Sequence, residues 1–272
     1  FGENRNYSDN PLSGYGTKEK LMNIIVPFQF EEYEKGFGKI MNGLMRGDSY
    51  LANLTLRNEI QTPLSLSEIM HCTASPFGLC LPEHFVSFSP ERFVKIENGV
   101  ISSFPMKGTI DASLPGAGSR ILADYKESCE HNTIVDLIRN DLGIVSERVW
   151  VERFRYLDTI RTDRSEIIQV SSEVRGKLPG DCRGKLGDII FALLPAGSVS
   201  GAPKQSTVKL IASAEVSKRG FYTGVAGYFD GEILDSAVLI RYIERDADGR
   251  YFYRSGGGIT VNSRCEEEYE EA

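Results

Sequence analysis

From Phe30 to about Met45 apolar residues return at helical spacing (Phe30, Tyr33, Phe37, Ile40, Met41, Leu44), which predicts an amphipathic helix ended near Gly47. Ser49 to Arg57 then reads as a strand. From Phe85 onward the pattern is that of a hairpin, with Arg92–Glu97 and Val100–Phe104 as strands. Asn98-Gly99 between them suits a type I′ turn, in which both central residues need a positive φ. Helical spacing follows over about 119–143, then a strand-rich stretch from 147 to 174. Further helices are predicted from about Gly184 to Leu194 and from Pro203 to Lys218, the second stopped by Gly220. Strands come next at 221–229, 232–245 and 250–254, joined at Asp230-Gly231 and at the Asp246–Gly249 turn, before a glycine-rich segment and a last helix. Strands in hairpin-joined groups with helices between them, rather than strict βαβ alternation, predict an α+β fold with large antiparallel sheets.

No repeat, low-complexity tract or Pro/Ser-rich linker breaks this pattern, so residues 1–272 are expected to form one domain, with residues 1–20, rich in Asn, Gly, Ser and Pro, as loop or tail. A composition of 41% hydrophobic and 25% charged residues is that of a globular protein. Against 38 acidic residues stand 31 Lys and Arg, a net charge of −7, which argues against a nucleic-acid partner. An anionic ligand would then need locally gathered cations or a metal. The five cysteines are odd in number, scattered and without a C-x-x-C pair, which suits a reducing compartment. His71-Cys72 with Cys80 lacks the second ligand pair of a zinc site. With no signal-peptide pattern and no apolar run of spanning length, the expectation is a cytoplasmic protein without a membrane partner. The chain opens without Met and stops inside a Glu-rich helical pattern, as a chain trimmed at both ends would.

Five features carry candidate chemistry. The first is Lys107, in Pro105-Met106-Lys107-Gly108-Thr109. A two-residue turn at Asn98-Gly99 sets Glu91 opposite Met106 and so beside Lys107, with Pro105 supplying the one-residue offset that brings the two side chains to one face. A lysine beside a carboxylate within a sheet can act as nucleophile with an acid/base partner, or form an ordinary cross-strand salt bridge. The second and third are the i, i+3 pairs Glu127/Glu130 and Glu268/Glu271, each on one helix face. Together they would offer the oxygen ligands that Mg²⁺ prefers; the run Glu266–Glu271 reads equally as a solvated acidic face. The fourth is Arg241, in a strand apolar on both faces and therefore expected to be buried, where a guanidinium calls for an anion. It would pair with a residue between Arg254 and Gly256, beside the fifth feature, Gly256-Gly257-Gly258, whose backbone N–H groups could approach a carboxylate; a glycine bulge with a buried ion pair is the alternative. A further anion site is read at Gly197 to Lys204, which opens a helix. The set suggests a small substrate with two carboxylates and a lysine facing the ring between them.

Ser89-Pro90-Glu91-Arg92-Phe93, Pro105 to Thr109, Glu130-His131 leading into Ile134 to Gly143, Gly201-Ala202-Pro203-Lys204 and Gly256 to Gly258 resemble, in order, the motifs of the chorismate-utilising enzymes. These include component I of anthranilate synthase and of aminodeoxychorismate synthase, and the isochorismate and salicylate synthases. The resemblance implies a single α+β domain of large packed antiparallel sheets flanked by helices. A lysine at position 107 is the mark of the aminodeoxychorismate synthases, where it attacks ring carbon 2 and ammonia enters at carbon 4; anthranilate synthases usually carry alanine there. By resemblance Glu91 is the acid/base residue, and Glu130 and Glu271 are the main Mg²⁺ ligands with Glu127 and Glu268 in support. Arg241 and Gly256–Gly258 would hold a substrate carboxylate and Ser198 would hydrogen-bond the substrate, with Thr109, Gly201 and Lys204 completing its site. Gln169 stands where many relatives have histidine, and Ser198 replaces a usual threonine. No glutaminase nucleophile motif occurs, so ammonia is expected from solution or from a separate glutamine amidotransferase subunit. Anthranilate synthase, then isochorismate or salicylate synthase, are the competing activities; a non-catalytic partner of a glutaminase is the non-enzyme alternative.

Overall fold

In this computed structural model, residues 22–72, 75–161, 165–180 and 182–272 are described, so the tail expected at 1–20 lies outside the described residues. In chain order the first elements are β1 (Asn23–Val26), α1 (Phe30–Met45), β2 (Leu51–Gln61), α2 (Leu66–His71), β3 (Phe77–Leu81) and β4 (Phe85–Ser89). Next come β5 (Arg92–Glu97), β6 (Val100–Ser103), β7 (Met106–Asp111), α3 (Ala117–Ala123), α4 (Tyr125–Val145), β8 (Arg148–Arg161), β9 (Glu166–Lys177) and α5 (Leu186–Leu193). The chain ends with α6 (Gly197–Ser200), β10 (Gly201–Ala202), α7 (Lys204–Ala214), β11 (Val225–Phe229), β12 (Leu234–Val238), β13 (Tyr242–Arg245), β14 (Tyr251–Ile259) and α8 (Cys265–Glu271).

These elements form two compact units. The first holds the described residues up to Pro90 together with Val199–Ala226 and Ala237–Ala272; the second holds Glu91–Ser198 and Gly227–Ser236. The units interleave along the chain, so no linker marks a boundary and the sequence shows none.

The first unit is built on a sheet of order β1-β2-β14-β13-β4-β3, with β10 added beside β2. Its core forms where α1 turns Tyr33, Phe37, Ile40 and Leu44 onto Leu54 and Leu56 of β2 and Leu210 and Ile211 of α7. Each such burial contributes roughly 1.5–3 kcal/mol of transfer free energy, which makes the apolar stripe of α1 the main reason this helix is stable. The second unit has a sheet of order β11-β12-β5-β6-β9-β7, with β8 on the other side of β9, and α4 packs against β7, β8 and β9. Among the described residues the strands of both sheets pair antiparallel, in keeping with the α+β class expected from the sequence.

Asn98 (φ 51) and Gly99 (φ 70) both take the left-handed conformation, and β5 pairs with β6 in the register the turn dictates. Elsewhere the pattern was too coarse. The helical stretch 119–143 is two helices, because Asp124 leaves helical geometry and its carboxylate caps the Glu127 N–H at 2.9 Å. The helix from Pro203 ends at Ala214 rather than at Lys218, since the Glu215 carboxylate is drawn to the N–H and hydroxyl of Thr55 and to Arg219. The strand expected over 232–245 breaks at 239–241, where the chain leaves one sheet and joins the other. The glycine-rich segment is the end of β14, not a connector. The sequence pattern does not show the short elements β1, α2, β3 or β10; α2 is held by a capping box between Ser65 and Glu68.

Candidate active site

The second unit places Lys107 by means of an irregular ladder. β6 and β7 run along the same side of β9, and the register set by Val100↔Lys177 persists to Met106↔Ser171. Pro105, which has no N–H, interrupts the strand, but its carbonyl accepts the Ser172 N–H at 2.9 Å and no offset arises there. The shift comes between Met106 and Thr109, where Lys107 and Gly108 together oppose one residue of β9. Gly108 has φ +93, and a Cβ there would lie 2.9 Å from Glu127 Oε2. The bulge therefore needs its glycine, and bulges re-aim side chains. Met106 faces Ser171 rather than Glu91, so the expected cross-strand neighbourhood of Glu91 and Lys107 does not hold in the ladder.

Instead the Lys107 ammonium meets α4, with Nζ 2.9 Å from Glu130 Oε2 and about half of the side chain exposed at 49%. Glu127, one turn earlier on the same helix face, has one carboxylate oxygen, Oε2, buried without a hydrogen-bond partner. Glu91 sits just before β5, and its Oε1 accepts the hydroxyl of Ser198 from the short helix α6. Burial pushes the Glu91 carboxyl above its ordinary value, and the Ser198 hydrogen bond works against that rise. Thr109 pairs with Gln169 on β9, which in turn pairs with Asp158 of β8.

Behind Lys107 lies His131, fully buried on α4. Its Nε2 is 2.7 Å from Ser172 Oγ and its Nδ1 is 3.4 Å from the Lys107 carbonyl oxygen. Burial lowers the imidazole pKa, with the Lys107 carbonyl acting in the opposite direction. In the sequence His131 stands in the Glu130-His131 motif with no sign of its role. Its partners are 24 and 41 residues away, so no local signal could have supplied one.

The remaining candidates belong to the first unit. Arg241 is exposed, not buried in a strand. It occupies the break before β13 with φ 52, the Ile240 N–H turns back to Val238 O, and the Arg241 carbonyl accepts from Phe88 N–H. A left-handed residue at this point lets the chain change sheets, which the apolar pattern on both sides concealed. The Tyr242↔Arg254 pairing stops one residue short of Arg241, so the expected partner for it in β14 does not form. Gly256, Gly257 and Gly258 pair with Thr55, Leu54 and Asn53 of β2. A Cβ on Gly256 would lie 2.6 Å from the Leu54 carbonyl, which explains that glycine by close backbone approach. Glu268 Oε2 of α8 comes within 3.5 Å of the position of a Gly257 Cβ, and Glu268 and Glu271 both act on the buried hydroxyl of Tyr33, adding to the rise that burial imposes on it. Gly201, with φ +128, pairs with Ala52, and Lys204 begins α7.

Lys107, Glu130, Glu127, Thr109, Glu91 and Ser198 thus fall in the second unit, and Arg241, Gly201, Lys204, Gly256–Gly258, Glu268 and Glu271 in the first. Among the described residues neither unit gathers three or more His, Cys, Asp or Glu side chains as a metal site. The pairs do fit a hard cation: they are carboxylates, and the orphaned Glu127 Oε2 has unused acceptor capacity.

The model of the chorismate binding enzymes matches residues 3–272. This chain belongs to that family. It is 50% identical over 245 residues to an uncharacterized PabA-like protein of Haemophilus influenzae, covering 90% of this chain and 74% of that one. Aminodeoxychorismate synthase component 1 of Salmonella typhimurium is 30% identical over 262 residues, covering 88% of this chain and 55% of that protein. Among solved structures, anthranilate synthase component I from Streptococcus pneumoniae superposes with a TM-score of 0.78 at 26% identity, covering 92% of this chain and 57% of the other. The chain therefore spans about half the length of these two named synthases. It has the α+β fold of anthranilate synthase component I, with large antiparallel sheets flanked by helices. No helix among the described residues is long and apolar enough to cross a membrane.

Proposed function

We propose that this member of the chorismate binding family is an aminodeoxychorismate synthase component I, converting chorismate and ammonia to 4-amino-4-deoxychorismate, a precursor of 4-aminobenzoate and folate. The observation that carries the reading is the primary amine of Lys107, set in a glycine-dependent bulge 2.9 Å from Glu130. In the resting enzyme this ion pair orients the Lys107 side chain, and attack requires the amine in its neutral form. The neutral amine then adds to ring carbon 2, the double bond shifts, and the 4-hydroxyl leaves as water. Ammonia enters at carbon 4 and the lysine departs from carbon 2, restoring the diene. Glu91, whose proton is retained above the ordinary carboxylate range, supplies the acid for the leaving hydroxyl.

Glu127, Glu130, Glu268 and Glu271 would hold Mg²⁺, which when bound anchors and polarises a substrate carboxylate. Arg241 and the backbone of Gly256–Gly258 would receive the other carboxylate, with Ser198, Thr109, Gly201 and Lys204 bordering the substrate. Ammonia would come from a separate glutamine amidotransferase subunit, and the enzyme would work in the cytoplasm.

The solved anthranilate synthase favours a second reading, amination at carbon 2. Product analysis with chorismate, Mg²⁺ and an ammonium salt separates the two. 4-Aminobenzoate should appear only after a lyase is added; anthranilate formed without one would refute the assignment.

A further inference from the structure

We propose that His131 is a positioning residue: its ring, backed by Ser172 and Arg155, holds the Lys107 carbonyl and fixes the bulge that aims the lysine at Glu130. Both strands that flank β9 are irregular at the same level. On β7, Lys107 and Gly108 oppose a single residue; on β8, the register slips between Arg153↔Glu173 and Tyr156↔Ser171, with Arg155 at φ 49. Each bulge turns a backbone group away from the regular ladder, and one group from each is joined by the same chain of hydrogen bonds. The Arg155 N–H donates to Ser172 Oγ at 2.9 Å, Ser172 Oγ meets His131 Nε2 at 2.7 Å, and His131 Nδ1 faces Lys107 O at 3.4 Å.

The two ends of this chain have fixed polarity, since a backbone N–H only donates and a carbonyl only accepts. Because the Ser172 oxygen could accept from two donors at once, it is the Lys107 carbonyl that sets the direction: the ring donates from Nδ1, which leaves Nε2 of the neutral imidazole as an acceptor. Ser172 gives its hydroxyl proton to Nε2, and the imidazole carries its proton on Nδ1, toward Lys107. The opposite tautomer would set the Nδ1 lone pair against the carbonyl oxygen. The far end is anchored as well, because the Arg155 guanidinium reaches Ser128 Oγ at 3.1 Å and the Ile121 carbonyl at 3.4 Å, while the Phe154 ring meets the imidazole edge to face. The consequence for turnover rests on Lys107 being the nucleophile; the positioning itself does not.

Three variants and one spectrum test this. An Asn amide nitrogen falls where Nδ1 lies and a Gln amide where Nε2 lies, so His131→Asn keeps the donor toward Lys107 and His131→Gln keeps only the tie to Ser172. His131→Leu keeps neither. Without chorismate, labelling of Lys107 by an amine-selective acylating reagent, read by peptide mass spectrometry against the other lysines, should rise about threefold in the Leu and Gln variants and stay near wild type in Asn. With chorismate and ammonia, kcat should fall about tenfold in Leu and Gln with KM within about twofold, and Asn should restore it. Should His131→Leu not fold, Ser172→Ala should shift both readings in the same direction.

The chain has three histidines, so the ¹⁵N imidazole spectrum of the wild type is simple enough to assign His131 as the Nδ1–H tautomer. Unchanged Lys107 labelling in the Leu variant, restoration by Gln rather than Asn, or an Nε2–H tautomer would overturn the proposal. A wild type that labels as expected but makes no aminodeoxychorismate would instead remove the functional reading and leave the positioning intact.

Discussion

Two ladders in this molecule treat irregularity in opposite ways. β14 and β2 pair through nine consecutive residues, Tyr251↔Ile60 to Ile259↔Ala52, without a slip. β9 is flanked by β7 and β8, each of which loses register near Ser171 and Ser172. The regular ladder uses its glycines so that backbones lie close; the irregular one uses Gly108 to turn a side chain out of step. One glycine serves stability, the other geometry. A substitution in each should therefore fail in a different observable.

The largest stability effect should come from Gly256→Ala, whose Cβ would sit 2.6 Å from the Leu54 carbonyl, a backbone atom that cannot move without its strand. About 3 kcal/mol of destabilisation by denaturant titration is expected. Gly108→Ala meets the movable end of Glu127 instead, and its cost is set mainly by φ +93, about 1–2 kcal/mol. Its kcat should nevertheless drop about tenfold or more, since the bulge aims Lys107. If the two variants lost stability and activity in the same proportion, the distinction between the ladders would be wrong.

Gly99→Ala offers a control away from both. At φ +70 in the Asn98-Gly99 turn it should cost about 1 kcal/mol and leave kcat unchanged. A subtler difference should follow from Glu91→Gln. Because burial raises the folded-state pKa above 4.5, folding retains a proton that the unfolded chain releases. The stability this group contributes is full below the unfolded pKa and is lost as pH rises through the folded one. The Tm of the Gln variant relative to wild type should thus improve as pH is raised from 4 toward neutrality; a difference independent of pH would contradict the buried-acid assignment.

The sequence was most informative where a signal is local. Helix α1 follows from its own apolar spacing, and the β5–β6 register follows from two residues with positive φ. It was least informative where geometry depends on a distant strand. Nothing in Pro105 to Thr109 shows that Pro105 keeps the register and Gly108 breaks it, because β9 decides both. Residues 237–243 read as one buried strand because their side chains are apolar on both faces, while the left-handed turn at Arg241 lies in the backbone. Asp124, by contrast, was readable: a capping aspartate with Glu127 three positions on is a helix start, hidden here inside a longer helical pattern. For the site, the motif residues were all visible in the sequence. Their partners were not, as the pairing of Lys107 with Glu130 and of Ser198 with Glu91 illustrates.

The covalent role of Lys107 can be observed directly. Incubation with chorismate and Mg²⁺ without ammonia, followed by digestion and mass spectrometry, should show the Lys107 peptide heavier by chorismate less one water, and no such adduct in Lys107→Ala. An unmodified Lys107 in enzyme that makes aminodeoxychorismate once ammonia is added, together with undiminished turnover by Lys107→Ala, would contradict it.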